Sequence, residues 1–300
     1  MPDKKHLLFY IVGLGIGFVC LAVAQLPDQR ARMVVCEVGQ GDAVLIVKGR
    51  YQTLIDGGPS SEKVLSCLER HLPFWDRTIE LIVLTNTDTD HLQGLVAVVE
   101  RYQVIQFVTA DGVAESQNLT HLIKILGEKQ IEVRGVERGD RIRIGRNYSL
   151  NGLQFKVLWP PDIKREFVAI FRPQMESLER EQILSVSAKE GDLNERSVVL
   201  SLLEDNKQIL LMGDAGDQAE KWLLKQGELP VVDILKVGHH GSKYASTQEF
   251  LQTIQPKVAV ISVGAKNRYG HPAAETIARL TAVGARIRRT DQDGEIVIEL

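Results

Sequence analysis

Four apolar runs in this chain end in turns that carry metal-type side chains, and few architectures can use such a repeat. Leu54-Ile55 is followed by Asp56-Gly57-Gly58, and Leu81-Ile82-Val83-Leu84 by Thr85-Asn86-Thr87-Asp88-Thr89-Asp90-His91. Further on, Met212 leads into Gly213-Asp214-Ala215, and Val237 into Gly238-His239-His240-Gly241-Ser242. Short apolar runs bounded by such turns read as strands buried on both faces, which calls for helices packed over the sheets. The same pattern predicts strands at Met33–Val38, Ala43–Val47, Tyr51–Ile55, Arg141–Ile144, Leu153–Leu158, Ser197–Leu203, Gln208–Met212, Val231–Val237, Val258–Val263 and Glu295–Ile298. Helical periodicity falls on Ser61–His71, Leu92–Tyr102, Leu119–Leu126, Gln218–Leu224, Gln248–Ile254 and Ala274–Thr281. Two α/β halves packed as one domain, with helices outside, follow from this order. Residues 162–194 are charged and irregular and read as an insertion or a mobile loop.

Composition narrows the function. With 300 residues, 44% hydrophobic content and a net charge of −3, the chain is neither disordered nor broadly basic. A general nucleic-acid-binding surface is thereby excluded, but not a local cleft in which a bound cation supplies the positive charge. The stretch Leu7 to Leu26 is uncharged and mostly apolar, long enough to cross the ~30 Å hydrocarbon core as a helix. It ends in Ala22-Val23-Ala24, which also fits a signal-peptidase site, so residues 1–30 are expected to be a membrane anchor or a signal peptide plus linker. Either reading places the domain at 31–300, membrane-anchored or secreted, outside the cytoplasm. Cys20, Cys36 and Cys67 match no zinc spacing and read as small packing residues, with a Cys36–Cys67 disulfide as the alternative.

In the second polar segment, Asn86, Asp88 and Asp90 alternate out of a buried strand, and His91 opens the next helix. Adjacent acids without a counter-charge repel, so a bound cation is their natural partner; the simpler reading is a polar turn whose Asp residues cap the helix. Taken together, the four segments bring several carboxylates and up to three imidazoles to one sheet edge, a set suited to one or two divalent ions. Gly39-Gln40-Gly41-Asp42 joins two strands rather than opening a helix, so it reads as a turn supporting the site through Asp42, not as a phosphate loop. His6, His71 and His121 fall outside the set, the latter two on solvent-facing helix ends.

These segments, with Asn194 to Leu200, Ile261 to Gly264, Asn267 to Pro272 and Arg289-Thr290-Asp291, resemble the metallo-β-lactamase superfamily. More narrowly, they resemble the extracytoplasmic hydrolase domain of ComEC-type DNA-uptake proteins. The resemblance runs from about Val34 to Leu300 and implies a four-layered αββα sandwich with a metal site at the sheet edges. In that superfamily the loop reads His-x-His-x-Asp-His; here Asn86 and Asp88 stand at the first two histidine positions, while Asp90 and His91 match. Asp214 matches the bridging carboxylate, and His239 or His240 the late histidine. No histidine lies between His121 and His239, and Ser197 falls near where a further ligand would stand. The resemblance therefore implies one strong site of Asp90, His91, Asp214 and a late histidine, and one weak site of Asp88, Asp214 and the Asn86 oxygen.

It further implies zinc or manganese and metal-assisted hydrolysis, with an activated water attacking a phosphoryl or acyl centre and Asp90 orienting it. His271 would protonate a leaving group or bind phosphate, unless it is structural. Lys243 and Ser242 would bind substrate, with Asp42, Asp56 and Ser197 in support. DNA or another phosphoester is the expected substrate. The membrane channel that accompanies this domain in ComEC-type proteins has no counterpart in these residues, which leaves three expectations: work beside a separate channel protein, scavenging of extracellular nucleic acid, or cleavage of another phosphoester such as a cell-envelope substituent. The competing expectation is a degraded relative that binds without turnover, which the Asn86 departure favours.

Overall fold

The computed structural model describes residues 10–17, 28–110, 116–145, 152–162 and 194–300. Two seven-stranded sheets form the framework. The first takes β1 (Ala31–Val35), β2 (Val44–Lys48), β3 (Tyr51–Ile55), β4 (Thr78–Leu84), β5 (Gln103–Thr109) and β6 (Val133–Gly135) in chain order. The second takes β7 (Arg141–Ile144), β8 (Leu153–Trp159), β9 (Val199–Glu204), β10 (Lys207–Leu211), β11 (Ile234–Lys236), β12 (Val258–Ile261) and β13 (Arg286–Arg289). The last strand, β14 (Ile296–Glu299), returns to the first sheet and pairs antiparallel with β1.

Strand alternation produces the layers. Met33, Val35, Val44, Ile46, Leu81 and Val83 face inward and meet Leu200, Leu202, Ile209 and Leu211 from the other sheet. Their neighbours Val34, Leu45, Ile82 and Leu84 face outward, under α1 (Ser61–His71), α2 (Thr89–Arg101) and α3 (Gln117–Glu128). On the opposite side Val199, Leu210, Leu235 and Ala259 lie under α4 (Asp217–Gln226), α5 (Gln248–Ile254) and α6 (Ala274–Ala282). The helices present apolar stripes, for example Val64, Leu65 and Leu68 on α1. Four layers result, helix, sheet, sheet, helix.

Two expectations need correction. The cysteines expected to be packing residues form a disulfide, Cys36 to Cys67, joining the end of β1 to α1. The strand expected at Val231–Val237 shrinks to Ile234–Lys236, because Asp233 turns aside to accept the Gln208 N–H at 2.8 Å and pair with Lys257 at 2.7 Å. Residues 163–193 of the expected insertion and most of the terminal segment 1–30 lie outside the described residues. Within that segment 10–17 is helical, and among the described residues no helix is long and apolar enough to cross a membrane.

What the fold does for function is bring strand ends together. β3, β4, β10, β11 and β12 all deliver their carboxyl ends to one edge, where the two sheets meet, the usual place for a site in an α/β sheet.

Candidate metal centre

The polar segment after β4 is locked by backbone contacts. The N–H of Gly57 donates to the His91 carbonyl at 2.7 Å and that of Gly94 to the Gly58 carbonyl at 2.8 Å, clamping the first turn of α2 onto the turn after β3. The approach is so close that a Cβ on Gly94 would lie 1.9 Å from the Gly57 carbonyl oxygen, so both positions require glycine. Asp56 sits there at φ +59. Its carboxylate accepts the Thr85 N–H at 2.8 Å and the Thr85 hydroxyl at 2.6 Å. The same carboxylate lies 2.8 Å from Nδ1 of the fully buried His91.

From the other sheet, Gly238–Gly241 form one turn of 3-10 helix in which His239 and His240 both take left-handed backbone angles, φ +45 and +52. Such angles in non-glycine residues persist only where surrounding structure imposes them, and they gather at functional sites. Here they aim the His240 ring into the cleft. Its Nδ1 donates to the Ser262 carbonyl at 2.9 Å and lies 3.3 Å from Asp42 Oδ1.

Both imidazoles thus use Nδ1 for an outer hydrogen bond, which leaves Nε2 facing inward. His91 Nε2 lies 3.1 Å from Asp214 Oδ2; His240 Nε2 lies 3.3 Å from Asp90 Oδ2 and 3.4 Å from Asp214 Oδ1. None of these approaches has hydrogen-bond geometry: His91 Nε2, His240 Nε2 and Asp214 Oδ1 are buried polar atoms without a partner. Orphaned buried atoms of this kind demand an explanation. Imidazole lone pairs converging with carboxylate oxygens are donors awaiting a cation, and one ligand atom each from Asp90, His91, Asp214 and His240 fits within 4.8 Å of the others. The outer bonds from Nδ1 to Asp56 and to Ser262 are the supports that fix the tautomer of metal-binding histidines.

Without a cation the cluster holds protons instead. Burial opposes charge on both rings, yet Asp214 with Asp56 raises His91 well above its ordinary range, and Asp214 with Asp42 raises His240 to about 10. Burial likewise opposes ionisation of Asp214, but His240 and His91 hold it well below the usual carboxylate range. Asp56 lies on the other side of that balance: burial raises it despite His91.

The cluster floors a cleft of about 300 Å³ lined also by Gln40, Asp88, Thr89, Asn194, His239, Tyr269 and His271. Of the residues expected at the site, Asp90, His91, Asp214 and His240 meet; Asp88, His239 and His271 line the cleft. Asn86 stands beside it, its amide nitrogen donating to Ser197 Oγ at 2.9 Å and its oxygen accepting the Asp88 N–H at 2.9 Å. Asp42 and Asp56 lie behind the imidazoles. Ser242 and Lys243 are not brought in: Ser242 is buried with its hydroxyl accepting the Tyr244 N–H, and Lys243 lies over the Tyr244 ring. His71, expected to face solvent, is partly buried against Glu295 at 2.6 Å. Burial first, then His239 and His240, lowers His271 to about 4, so its ring is neutral at pH 7 and carries a single N–H.

Lys236 was not foreseen. It is fully buried and pairs with Asp42. A lysine inside an apolar strand run was the available signal, since such a charge is buried only when paired.

The metallo-beta-lactamase superfamily model matches residues 36–265, which includes Asp90, His91, Asp214 and His240. The chain belongs to the metallo-beta-lactamase superfamily. Among its relatives, ComE operon protein 3 of Bacillus subtilis (strain 168) is 28% identical over 87% of this chain and 32% of its own length. Competence protein ComA of Neisseria gonorrhoeae is 25% identical over 99% of this chain and 36% of its own length. The chain therefore spans about a third of these curated relatives. Among solved structures, the superfamily fold recurs in the metallo-beta-lactamase fold protein YhfI from Bacillus subtilis, with TM-score 0.55 and 11% identity, covering 90% of this chain and all of that one. Zn(2+)-bound PqqB from Methylobacterium extorquens gives TM-score 0.56 and 12% identity, with the same coverage. Both share the fold of this chain.

Proposed function

We propose that this chain is a metal-dependent phosphodiesterase acting on DNA or another phosphoester outside the cytoplasm. The observation that carries the reading is the convergence of two imidazole lone pairs and two carboxylates, from both sheets, on one point. Asp90, His91, Asp214 and His240 would hold zinc or manganese, and Asp88 with the Asn86 oxygen would serve a second, weaker position. A divalent ion bound there supplies a Lewis acid and a water acidified toward neutral pH. Asp90, the most exposed of the four, is placed to orient a water at the cleft floor. His271, being neutral, serves better as a hydrogen-bonding group for a phosphoryl oxygen than as an acid.

Three observations support the setting. The Cys36–Cys67 disulfide suits an oxidising compartment. Tyr10, Ile11, Leu14 and Ile16 stand exposed on the helical stretch 10–17, which fits part of an anchor or signal segment. Relatives named for competence and for a ComE operon support DNA as the substrate within this reading.

The test is hydrolysis of bis-p-nitrophenyl phosphate and of single-stranded DNA with manganese, magnesium and zinc in turn. Turnover with at least one metal, abolished by chelator, is expected. Absence of turnover with all three would overturn the reading. A second reading, a binding protein without turnover, is favoured by the Asn86–Ser197 hydrogen bond, which occupies the place of two expected imidazoles. It predicts metal binding in the same samples with both substrates left intact.

A further inference from the structure

Two of the segments that carry the converging residues meet at one buried side chain, and the third is joined to it through Asp42. Lys236 ends β11 and points away from solvent, 1% exposed. Its ammonium has three N–H bonds and three partners. It pairs with the Asp42 carboxylate, and it donates to the carbonyls of Gly213 at 3.3 Å and Val237 at 2.9 Å.

Each partner leads to a different ligand. Gly213 directly precedes Asp214, and its carbonyl also accepts the His239 N–H at 3.1 Å. Val237 directly precedes the left-handed turn that aims His240. Asp42 approaches His240 Nδ1 at 3.3 Å through its side chain, and its backbone N–H donates to the Asp90 carbonyl at 3.1 Å. One buried cation thus connects the backbones bearing Asp214, His240 and Asp90. His91, next to Asp90 in the chain, has further fixings of its own in the glycine backbone contacts and Asp56.

Charge makes the same point. Asp42 is a fourth carboxylate beside the cluster, and uncompensated it would compete for any cation brought there. With Lys236 against it, Asp42 is neutralised within its own pair, and of the four converging residues only Asp90 and Asp214 bring a carboxylate to the cation. Charge balance of this kind sets affinity in buried sites, where the medium screens poorly.

We infer that Lys236 is the positioning residue of this centre, holding the Asp214, His240 and Asp90 segments in register for one divalent ion. The inference rests on the reading of the cluster as a metal site. Residues that support ligands from outside typically change metal affinity by about 10–100-fold when altered.

The test compares two variants of the full chain, Asp42→Asn and the double variant Lys236→Met with Asp42→Asn, which removes the pair without stranding a charge. Zinc affinity is measured by chelator competition, cobalt coordination by the visible spectrum of the Co(II)-loaded protein, and stability by the thermal midpoint of the metal-free protein. The double variant is expected to bind zinc at least about 10-fold more weakly, with an altered Co(II) spectrum, and Asp42→Asn, which strands the Lys236 ammonium in the interior, to bind it more weakly still and to melt lower. Zinc affinity within twofold of the parent in whichever variant folds would overturn the inference, even if the thermal midpoint falls, because that outcome describes a purely structural ion pair. Should the parent itself bind neither metal, the reading of the cluster fails first, and the two failures are told apart by that control.

Discussion

The two imidazoles at the centre of this molecule are held by different physics. His91, on the first-sheet side, is fixed chiefly by backbone: the Gly57–Gly94 crossing clamps its helix and the Cys36–Cys67 disulfide ties the adjoining strand to α1, with the Asp56 carboxylate as its one charged support. His240, on the second-sheet side, sits on a left-handed turn held by the Lys236–Asp42 pair and the Ser262 carbonyl. Close backbone packing is indifferent to charge. A buried ion pair is not, because removing one partner leaves the other uncompensated in a poorly screened interior. The first half should therefore respond to covalent and steric changes, and the second to changes of charge.

The largest effect belongs to the residue both halves share. Asp214 lies within 3.4 Å of both rings, so Asp214→Ala should weaken metal binding by at least about 100-fold and remove chelator-sensitive turnover, read by chelator competition and by hydrolysis of bis-p-nitrophenyl phosphate. Retained turnover would mean that the sheets do not share a ligand.

Next comes the covalent brace. Replacing Cys36 and Cys67 together by alanine should lower stability by about 3 kcal/mol, read from urea unfolding, since the bond closes a loop of moderate length. Metal affinity should change little, because the glycine clamp remains. A loss of affinity as large as the loss of stability would show that the disulfide, and not the clamp, places His91.

The smallest effect is one of pH on the metal-free protein. The folded-state pKa of His240, about 10, and that of His91 lie above the unfolded value near 6.5. Their stabilising contribution is fully present below pH 6.5 and is lost as pH rises through the folded values. Asp214 and Asp90, held low, act oppositely, and their contribution is lost only in acid, as pH falls through their folded values. The thermal midpoint of metal-free protein should therefore fall between pH 6.5 and 10, whereas in metal-loaded protein the cation replaces the protons and the fall should be smaller. Parallel falls in the two forms would contradict the assignment of the inward Nε2 atoms.

Sequence patterning located much of this architecture. Ser61–His71, Gln248–Ile254, Tyr51–Ile55 and Arg141–Ile144 have the boundaries that periodicity predicts. Other elements were hidden for physical reasons. The strand Arg286–Arg289 is an edge strand with three arginines in four residues, so it has no apolar alternation to read. Gln103–Thr109 carries an exposed Ile105 and two glutamines, which mask its inward residues. The return of Ile296–Glu299 to pair with β1 is a matter of topology that no local pattern encodes.

At the site, residue types and strand-end positions pointed to Asp90, His91, Asp214 and the His239-His240 pair. The choice of His240 over His239 depends on two consecutive left-handed residues, a backbone property that those side chains do not announce. The disulfide likewise depends on α1 lying over β1, a tertiary contact between residues separated by 31 positions.

The most direct test of the central claim is a calorimetric titration of metal-free protein with zinc at pH 7.5. Binding of a divalent ion at micromolar or tighter affinity, with proton release that scales with buffer ionisation enthalpy, is the predicted result. No zinc uptake at millimolar concentrations, with the protein still folded, would contradict it.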